Sequence, residues 1–128
     1  AVSGSLTSAG TVTNTPAAPT TSAINSAATT NATVVKATAG TVYGVLLSNI
    51  NAAARFVKFY NKATAPTVGT DVPIITVQIP ANTTLNFPIG ELGLRFTTGI
   101  GLAITANAAD SDTTAVAVNE IKVVTTYI

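Results

Sequence analysis

From residue 33 onward the sequence is a succession of short runs of β-branched and apolar residues, bounded mostly by Gly, Pro, Asn or Asp. Runs of this length between turn residues are typical of β-strands, and about eight in succession indicate a sandwich or small barrel. We therefore predict an all-β fold, a single jelly-roll-like β-sandwich of about eight strands. The predicted strands cover residues 33–37, 41–47, 55–61, 73–80, 84–87, 92–96, 101–105 and 120–127.

The last predicted strand shows the clearest alternation. Ile121, Val123 and Tyr127 fall on one face, whereas Glu120 and Lys122 fall on the other. A core of Val, Ile, Leu and the four Phe residues follows from this pattern. Short Ala-rich segments elsewhere give no clear helix.

Residues 1–32 have a different composition. They are almost wholly Ala, Thr, Ser, Gly, Asn and Pro, and they carry no charged side chain. Such a segment cannot offset its ordering entropy by local packing, so it is either a disordered tail or an arm ordered on a neighbouring subunit or on its own sheet. The absence of charge favours the arm, because solvated tails are usually charged. We predict an extended N-terminal arm over 1–32 and a sandwich domain over 33–128.

The predicted arm has four large apolar residues, which are its candidate assembly contacts: Val2, Leu6, Val12 and Ile24. Self-association is also favoured by the low charge of the whole chain. Charged residues make up 9% of it, against roughly 25% in a typical soluble domain. A surface of Thr, Ser, Asn and Ala is weakly protected against association. The composition fits either a Thr-rich β protein that is soluble as a monomer or a subunit that neighbours largely cover, and the low charge favours the subunit.

Composition also excludes several functions. The chain contains no His and no Cys, which removes a Ser-His-Asp triad, a thiolate nucleophile and the common zinc ligands. A net charge of +1 cannot supply the basic stripe that nucleic-acid binding needs. No stretch approaches the roughly 20 apolar residues of a membrane helix. We predict no enzymatic activity, no cofactor, no metal, and neither a nucleic-acid nor a membrane partner.

Two pairs of acidic residues are candidates for a metal site or a catalytic site, and both pairs can be explained as turn residues. Asp110 and Asp112 could contribute to a Ca²⁺ loop, but the spacing of further oxygen ligands is missing, and Asx turns account for both. Asp71 and Glu91 could pair as the carboxylates of a glycosidase, yet each lies beside Gly residues where solvated acids are ordinary. The segment 99–101 lacks the third Gly of a dinucleotide fingerprint and is read as a turn or bulge.

The cations concentrate in one place. Arg55, Lys58 and Lys62 lie among aromatic residues, an arrangement that can bind single-stranded nucleic acid. Alternation directs Arg55 and Lys58 to opposite faces, however, so edge protection or interface salt bridges explain them better. Asn31 and Asn82 begin glycosylation sequons, which arise readily by chance in a chain this rich in Asn and Thr.

Several sequence segments resemble small virion proteins of tailed bacteriophages. They span roughly residues 40–115 and leave out the arm. The matching segments are 42–49 (VYGVLLSN), 52–66 (AAARFVKFYNKATAP), 68–73, 96–105 and 108–110.

This resemblance implies a β-sandwich head protein of the decoration or cement kind, which sits on a capsid at local symmetry axes, often as a trimer. It implies a homotrimer bound to the major capsid protein, made in the host cytoplasm and located at the capsid surface of the virion. The alternative is a tail or head-fibre module that binds a host surface glycan. Tyr43, Tyr60 and Tyr127 could stack on a sugar there, although the absence of Trp argues against it.

Overall fold

The computed structural model describes residues 17–128, which fold into two antiparallel β-sheets. The prediction of an all-β sandwich is confirmed, and the described residues contain no helix. Their strands are β1 (Thr20–Asn25), β2 (Thr33–Lys36), β3 (Gly40–Asn49), β4 (Arg55–Asn61), β5 (Ile75–Ile79), β6 (Thr83–Phe87), β7 (Leu94–Phe96), β8 (Ile100–Thr105) and β9 (Ile121–Tyr127).

The two sheets are built from nested strand pairs. The larger sheet has the order β1-β9-β3-β6, with β7 also paired to β3, and the smaller sheet has the order β2-β8-β4-β5. Thus β1 pairs with β9, β2 with β8, β3 with β6 and β7, and β4 with β5. The chain therefore behaves as one long hairpin whose tip is β4–β5, and successive pairs fall in alternate sheets.

The eight predicted strands are all present, and their ends move by two residues at most. The ninth strand, β1, is not among the eight predicted strands and lies within the segment assigned to the arm, which is here ordered in part on the sheet of its own chain. It pairs with β9 from Thr20 opposite Tyr127 to Asn25 opposite Lys122. Ile24 packs against the core from this strand. The sheet therefore begins at Thr20 rather than at residue 33, and the described part of the predicted arm includes an edge strand of the sandwich.

The core fills the space between the sheets. Strand alternation supplies it, because β-branched and aromatic side chains at every second position point inward. The rings of Phe59 and Phe96 lie 6.3 Å apart between centroids, at an interplanar angle of 55°. The fully buried apolar side chains include Val42, Val45, Leu47, Val57, Ile79, Ile100, Leu102, Ile104, Ile121 and Val123.

The connection between β3 and β4 is a loop, as its Asn residues predict. The buried amide of Asn49 donates to the carbonyl oxygens of Ala53 at 2.9 Å, Ile79 at 3.2 Å and Pro80 at 3.2 Å. Its Oδ1 accepts from the backbone N–H of Asn51 at 2.8 Å. The Asn49 side chain thus holds the β3–β4 loop against the end of β5. Its buried amide has the hydrogen bonds that a buried polar group requires.

Candidate assembly surface

The outer face of the smaller sheet is covered by loops of the same chain. Lys58 and Tyr60 point outward from β4, yet they are 0% and 1% exposed. Ala103, opposite Lys58 on β8, is also fully buried. Residue 66 contributes to this cover, because a Cβ on Gly101 would lie 3.4 Å from the ring of Pro66. This face offers little sheet surface to a partner.

Lys58 is a structural residue of that covered face. Its Nζ donates to the carbonyl oxygen of Ala109 at 2.5 Å. Burial lowers the pKa of Lys58, and the carboxylates of Asp112 and Asp110 partly oppose that shift. Burial also raises the pKa of Tyr60, with Asp110 acting in the same direction. A buried ammonium bonded to a loop carbonyl fixes the loop on the sheet.

The outer face of the larger sheet, by contrast, is open to solvent. Leu46 at its centre is 46% exposed. Among the strand residues of this sheet, Lys122 and Arg95 carry the charges. The side chains that the register places on this face, here called the open face, are Thr21, Ala23, Asn25, Thr41, Leu46, Ser48, Thr84, Asn86, Arg95, Lys122, Val124 and Thr126.

An ion pair closes one end of the sandwich. Arg55 Nε lies 2.6 Å from Glu120 Oε1, with side-chain exposures of 17% and 4%. Glu120 Oε2 accepts from the backbone N–H of Ala117 at 2.6 Å. Alternation assigned Glu120 to the face opposite Ile121, but Glu120 precedes β9 and turns inward, where it joins the two sheets. The sequence favoured edge protection or a salt bridge to another subunit for Arg55. In the structure Arg55 instead forms a salt bridge with Glu120 of its own chain.

The two acidic candidates are held in turns. The carboxylate of Asp112 accepts from the backbone N–H and side-chain amide of Asn107 at 3.2 and 3.0 Å, and from the N–H and hydroxyl of Thr114 at 3.2 and 2.8 Å. Desolvation raises the pKa of Asp112, but these hydrogen bonds together hold it below 3.8. Within residues 17–128, no three His, Cys, Asp or Glu residues cluster as metal ligands would. Glu91 lies exposed in the turn before β7.

Asp71 forms the second ion pair of the described residues. Its Oδ2 lies 2.5 Å from Lys62 Nζ and accepts from the backbone N–H of Thr67 at 2.6 Å. The hydrogen bond from Lys62 is the main cause that lowers the pKa of Asp71. Together with buried Lys58 and paired Arg55, this leaves the predicted cationic cluster engaged within the chain rather than on one basic face.

The remaining motif residues occupy tight turns. Asn31 and Asn82, which begin the two sequons, adopt φ of 54° and 50°. Asn tolerates this left-handed backbone because its side chain hydrogen-bonds to nearby main chain, as the Asn31 amide does to the carbonyl oxygens of Ala27 and Thr29. A Cβ on Gly99 would lie 2.6 Å from Ala63 Cα, so close backbone packing explains this glycine.

The predicted assembly contacts divide between two regions of the chain. Val2, Leu6 and Val12 lie outside the described residues. Ile24 is partly buried and packs against the core of its own chain. Its side chain is therefore engaged in the fold, and the exposed part of β1 consists of its polar and small residues.

The tyrosines are poorly placed to stack on a sugar. Tyr60 is buried and Tyr127 packs against the core, whereas Tyr43 is 41% exposed. A shallow depression of about 260 Å³ lies at the ends of β3 and β6, lined by Ser48, Asn49, Ile50, Asn82, Thr83 and Thr84. No aromatic side chain lines this depression.

In the part of the chain that the structure describes, no helix is long and apolar enough to cross a membrane. Comparisons with protein-family models, with curated proteins and with solved structures find no match to this chain.

Proposed function

We propose that this chain is a structural virion protein that binds and stabilises a bacteriophage capsid shell, as a decoration or cement protein. It acts as a homo-oligomer, a trimer, on the major capsid protein at the capsid surface. The observation that carries the proposal is the contrast between the two outer faces of the sandwich. Loops cover one face, whereas the other presents a broad surface of Thr, Asn, Ser and aliphatic side chains with few charges.

Such a surface suits attachment by many weak contacts. Each copy buries apolar and uncharged polar groups at little desolvation cost, because few charges must be stripped of water. Symmetry repeats the contact over the shell, so modest affinity per copy gives a stable coat. No reactive group is needed for this role, in keeping with a chain whose charged side chains mostly serve its own fold.

The strand order supports the same proposal. A long hairpin rolled into two sheets of nested pairs is the arrangement of a jelly roll, and we infer that architecture here. Jelly rolls occur in viral capsid proteins and in lectins. The fold does not distinguish these two roles. The capsid role is favoured over the glycan-binding alternative because no aromatic side chain lines the depression and the chain contains no Trp.

Co-sedimentation with empty shells tests the proposal, using shells assembled from the major capsid protein encoded in the same genome. The wild-type chain is expected to pellet with the shells to a saturating, fixed ratio. Leu46→Lys places a charge at the centre of the open face and should lower binding at least tenfold. Gln78→Lys, exposed on β5 of the other sheet, is the matched control and should bind like the wild type.

Two outcomes would overturn the proposal. The first is a wild-type chain that remains in the supernatant at all shell concentrations. The second is equal loss of binding in both Lys variants, which would separate attachment from the open face. Saturable binding on a glycan array, without shell binding, would favour the fibre module instead.

A further inference from the structure

We infer that β1 is a docking site for a second copy of this chain, through antiparallel pairing of the two β1 strands about a two-fold axis at Ala23. Strand β1 is the terminal strand of the larger sheet, and no strand among residues 17–128 pairs with its outer side. An exposed sheet edge presents unpaired N–H and C=O groups that bind another extended strand. This inference does not depend on the proposed capsid role.

The backbone groups that are free on this edge can be assigned from the ladder. The N–H of Ser26 donates to the carbonyl oxygen of Ile121 at 2.8 Å, so residue 26 directs its backbone groups toward β9. In an antiparallel pair this direction alternates along the strand. Thr21, Ala23 and Asn25 therefore direct their N–H and C=O groups away from β9, and the side chains of all three are exposed.

These three residues specify one best register. Opposed residues must direct their side chains to the same face of the extended sheet, so the two-fold axis passes through a residue rather than between two residues. With the axis at Ala23, Thr21 of one copy opposes Asn25 of the other, and Ala23 opposes itself. Three pairs that each exchange two bonds give six backbone hydrogen bonds. An axis at Ser22 leaves two such pairs, so the Ala23 register makes fuller use of the edge.

The side chains are compatible with this register. Strand β1 carries no charge, so two copies meet without like-charge repulsion. The axis places the small Ala23 side chain against its counterpart on the open face, flanked by Thr21–Asn25 polar pairs. On the inner side, Ser22 of one copy lies opposite Ile24 of the other.

The other sheet edges carry features that discourage such pairing. In the smaller sheet, β2 has a bulge and ends at Lys36, while β5 lies between Pro73 and Pro80. The far edge of the larger sheet is divided between β6 and β7, with Pro88 in the connection and Arg95 on β7. Charges, prolines, bulges and short strands are the usual protection of edges. Within its six residues β1 has no charge, proline or bulge, and Pro19 lies directly before it.

A pairing of this kind joins copies two by two. It is distinct from the contacts that close a trimer, and on a shell it would join one trimer to the next. The open faces of the two copies then form one continuous surface, because the pairing extends the larger sheet across the axis.

Cysteine cross-linking tests the register directly, because the chain contains no Cys of its own. In the proposed pair the two Ala23 Cα atoms are about 5.5 Å apart, within the roughly 4.4–6.8 Å of a disulfide. After mild oxidation at low micromolar concentration, Ala23→Cys should therefore run on a non-reducing gel as a dimer of twice the 12.8 kDa chain mass, and reductant should remove that band. Thr21→Cys is the matched control: its two copies would be more than about 10 Å apart, and it should remain monomeric on the gel.

A double variant, Thr21→Cys with Asn25→Cys, should restore the cross-link, since these residues oppose each other across the axis. Equal cross-linking of the Ala23→Cys and Thr21→Cys variants would indicate random collision and overturn the inference. The absence of a cross-link in the Ala23→Cys variant would also overturn it, as happens when residues 1–16 or a different partner occupy the edge. Thermal unfolding of each reduced variant verifies that the fold is retained.

Discussion

Ser26 provides the sharpest test of how the unpredicted strand is held. Its side chain is 1% exposed. The hydroxyl donates to the carbonyl oxygen of Ala117 at 2.7 Å and accepts from the backbone N–H groups of Glu120 and Ile121, each at 3.0 Å. It thus fastens the end of β1 to the segment that leads into β9, across more than ninety residues of chain.

Ser26→Ala removes all three hydrogen bonds and leaves two buried amide donors and one carbonyl without a partner. Each buried orphan group costs about 1–3 kcal/mol, and partial access of water lowers the total. We therefore expect the free energy of unfolding to fall by about 2–4 kcal/mol. For a domain of this size that corresponds to a decrease in Tm of roughly 8–16 °C.

Urea unfolding followed by circular dichroism measures the effect. Ser48→Ala is the matched control, because the Ser48 hydroxyl makes one exposed contact, at 3.4 Å to Thr84 Oγ1. That variant should stay within about 0.5 kcal/mol of the wild type. A loss below about 0.5 kcal/mol for Ser26→Ala would refute the reasoning, since it would mean that water replaces the hydroxyl at no cost.

Two further predictions concern a turn and an ion pair. Gly93 has φ of 74°, and a Cβ there would lie 2.9 Å from the carbonyl oxygen of Val42, so Gly93→Ala should lower the free energy of unfolding by at least about 1 kcal/mol. Gly90→Ala, with nothing within 4 Å of its Cβ, should be close to neutral in the same urea titration, and equal effects would contradict the steric argument. The pKa of Asp71 is lowered from 3.8 by its hydrogen bond from Lys62, so its contribution is present above pH 3.8 and is lost as the pH falls through the lowered value. The Asp71→Asn variant should therefore lose less stability than the wild type between pH 5 and pH 2 in acid titrations followed by fluorescence or circular dichroism, and an unchanged pH dependence would contradict this assignment.

The strands after residue 33 could be predicted because their signals are local. Runs such as 41–47 and 55–61 combine β-branched and aromatic residues with turn residues at their ends. These features act over a few residues, through side-chain packing and the backbone geometry of turns. They indicate a strand whatever the position of distant parts of the chain. For this reason the ends of all eight predicted strands lie within two residues of the observed ends.

Strand β1 could not be predicted in the same way. It contains one large apolar side chain, Ile24, so its alternation of apolar and polar residues is too weak to indicate a strand. Its order comes from pairing with β9, about one hundred residues away, and from the hydrogen bonds of Ser26. Propensity and periodicity carry no information about a partner so distant along the chain.

The candidate assembly surface likewise depends partly on sequence and partly on tertiary structure. Composition alone determined that this chain has no His or Cys chemistry and very little charge, and alternation alone placed Arg55 and Lys58 on opposite faces. Tertiary structure decided which outer face is open. Lys58 is buried because a distant loop folds over the smaller sheet and its Ala109 carbonyl accepts the ammonium hydrogen bond. Glu120 is buried because it meets Arg55 across the two sheets. Burial of these charges depends on long-range packing, which brings the compensating partner to each one, whereas strand formation depends on neighbours that the sequence already places side by side.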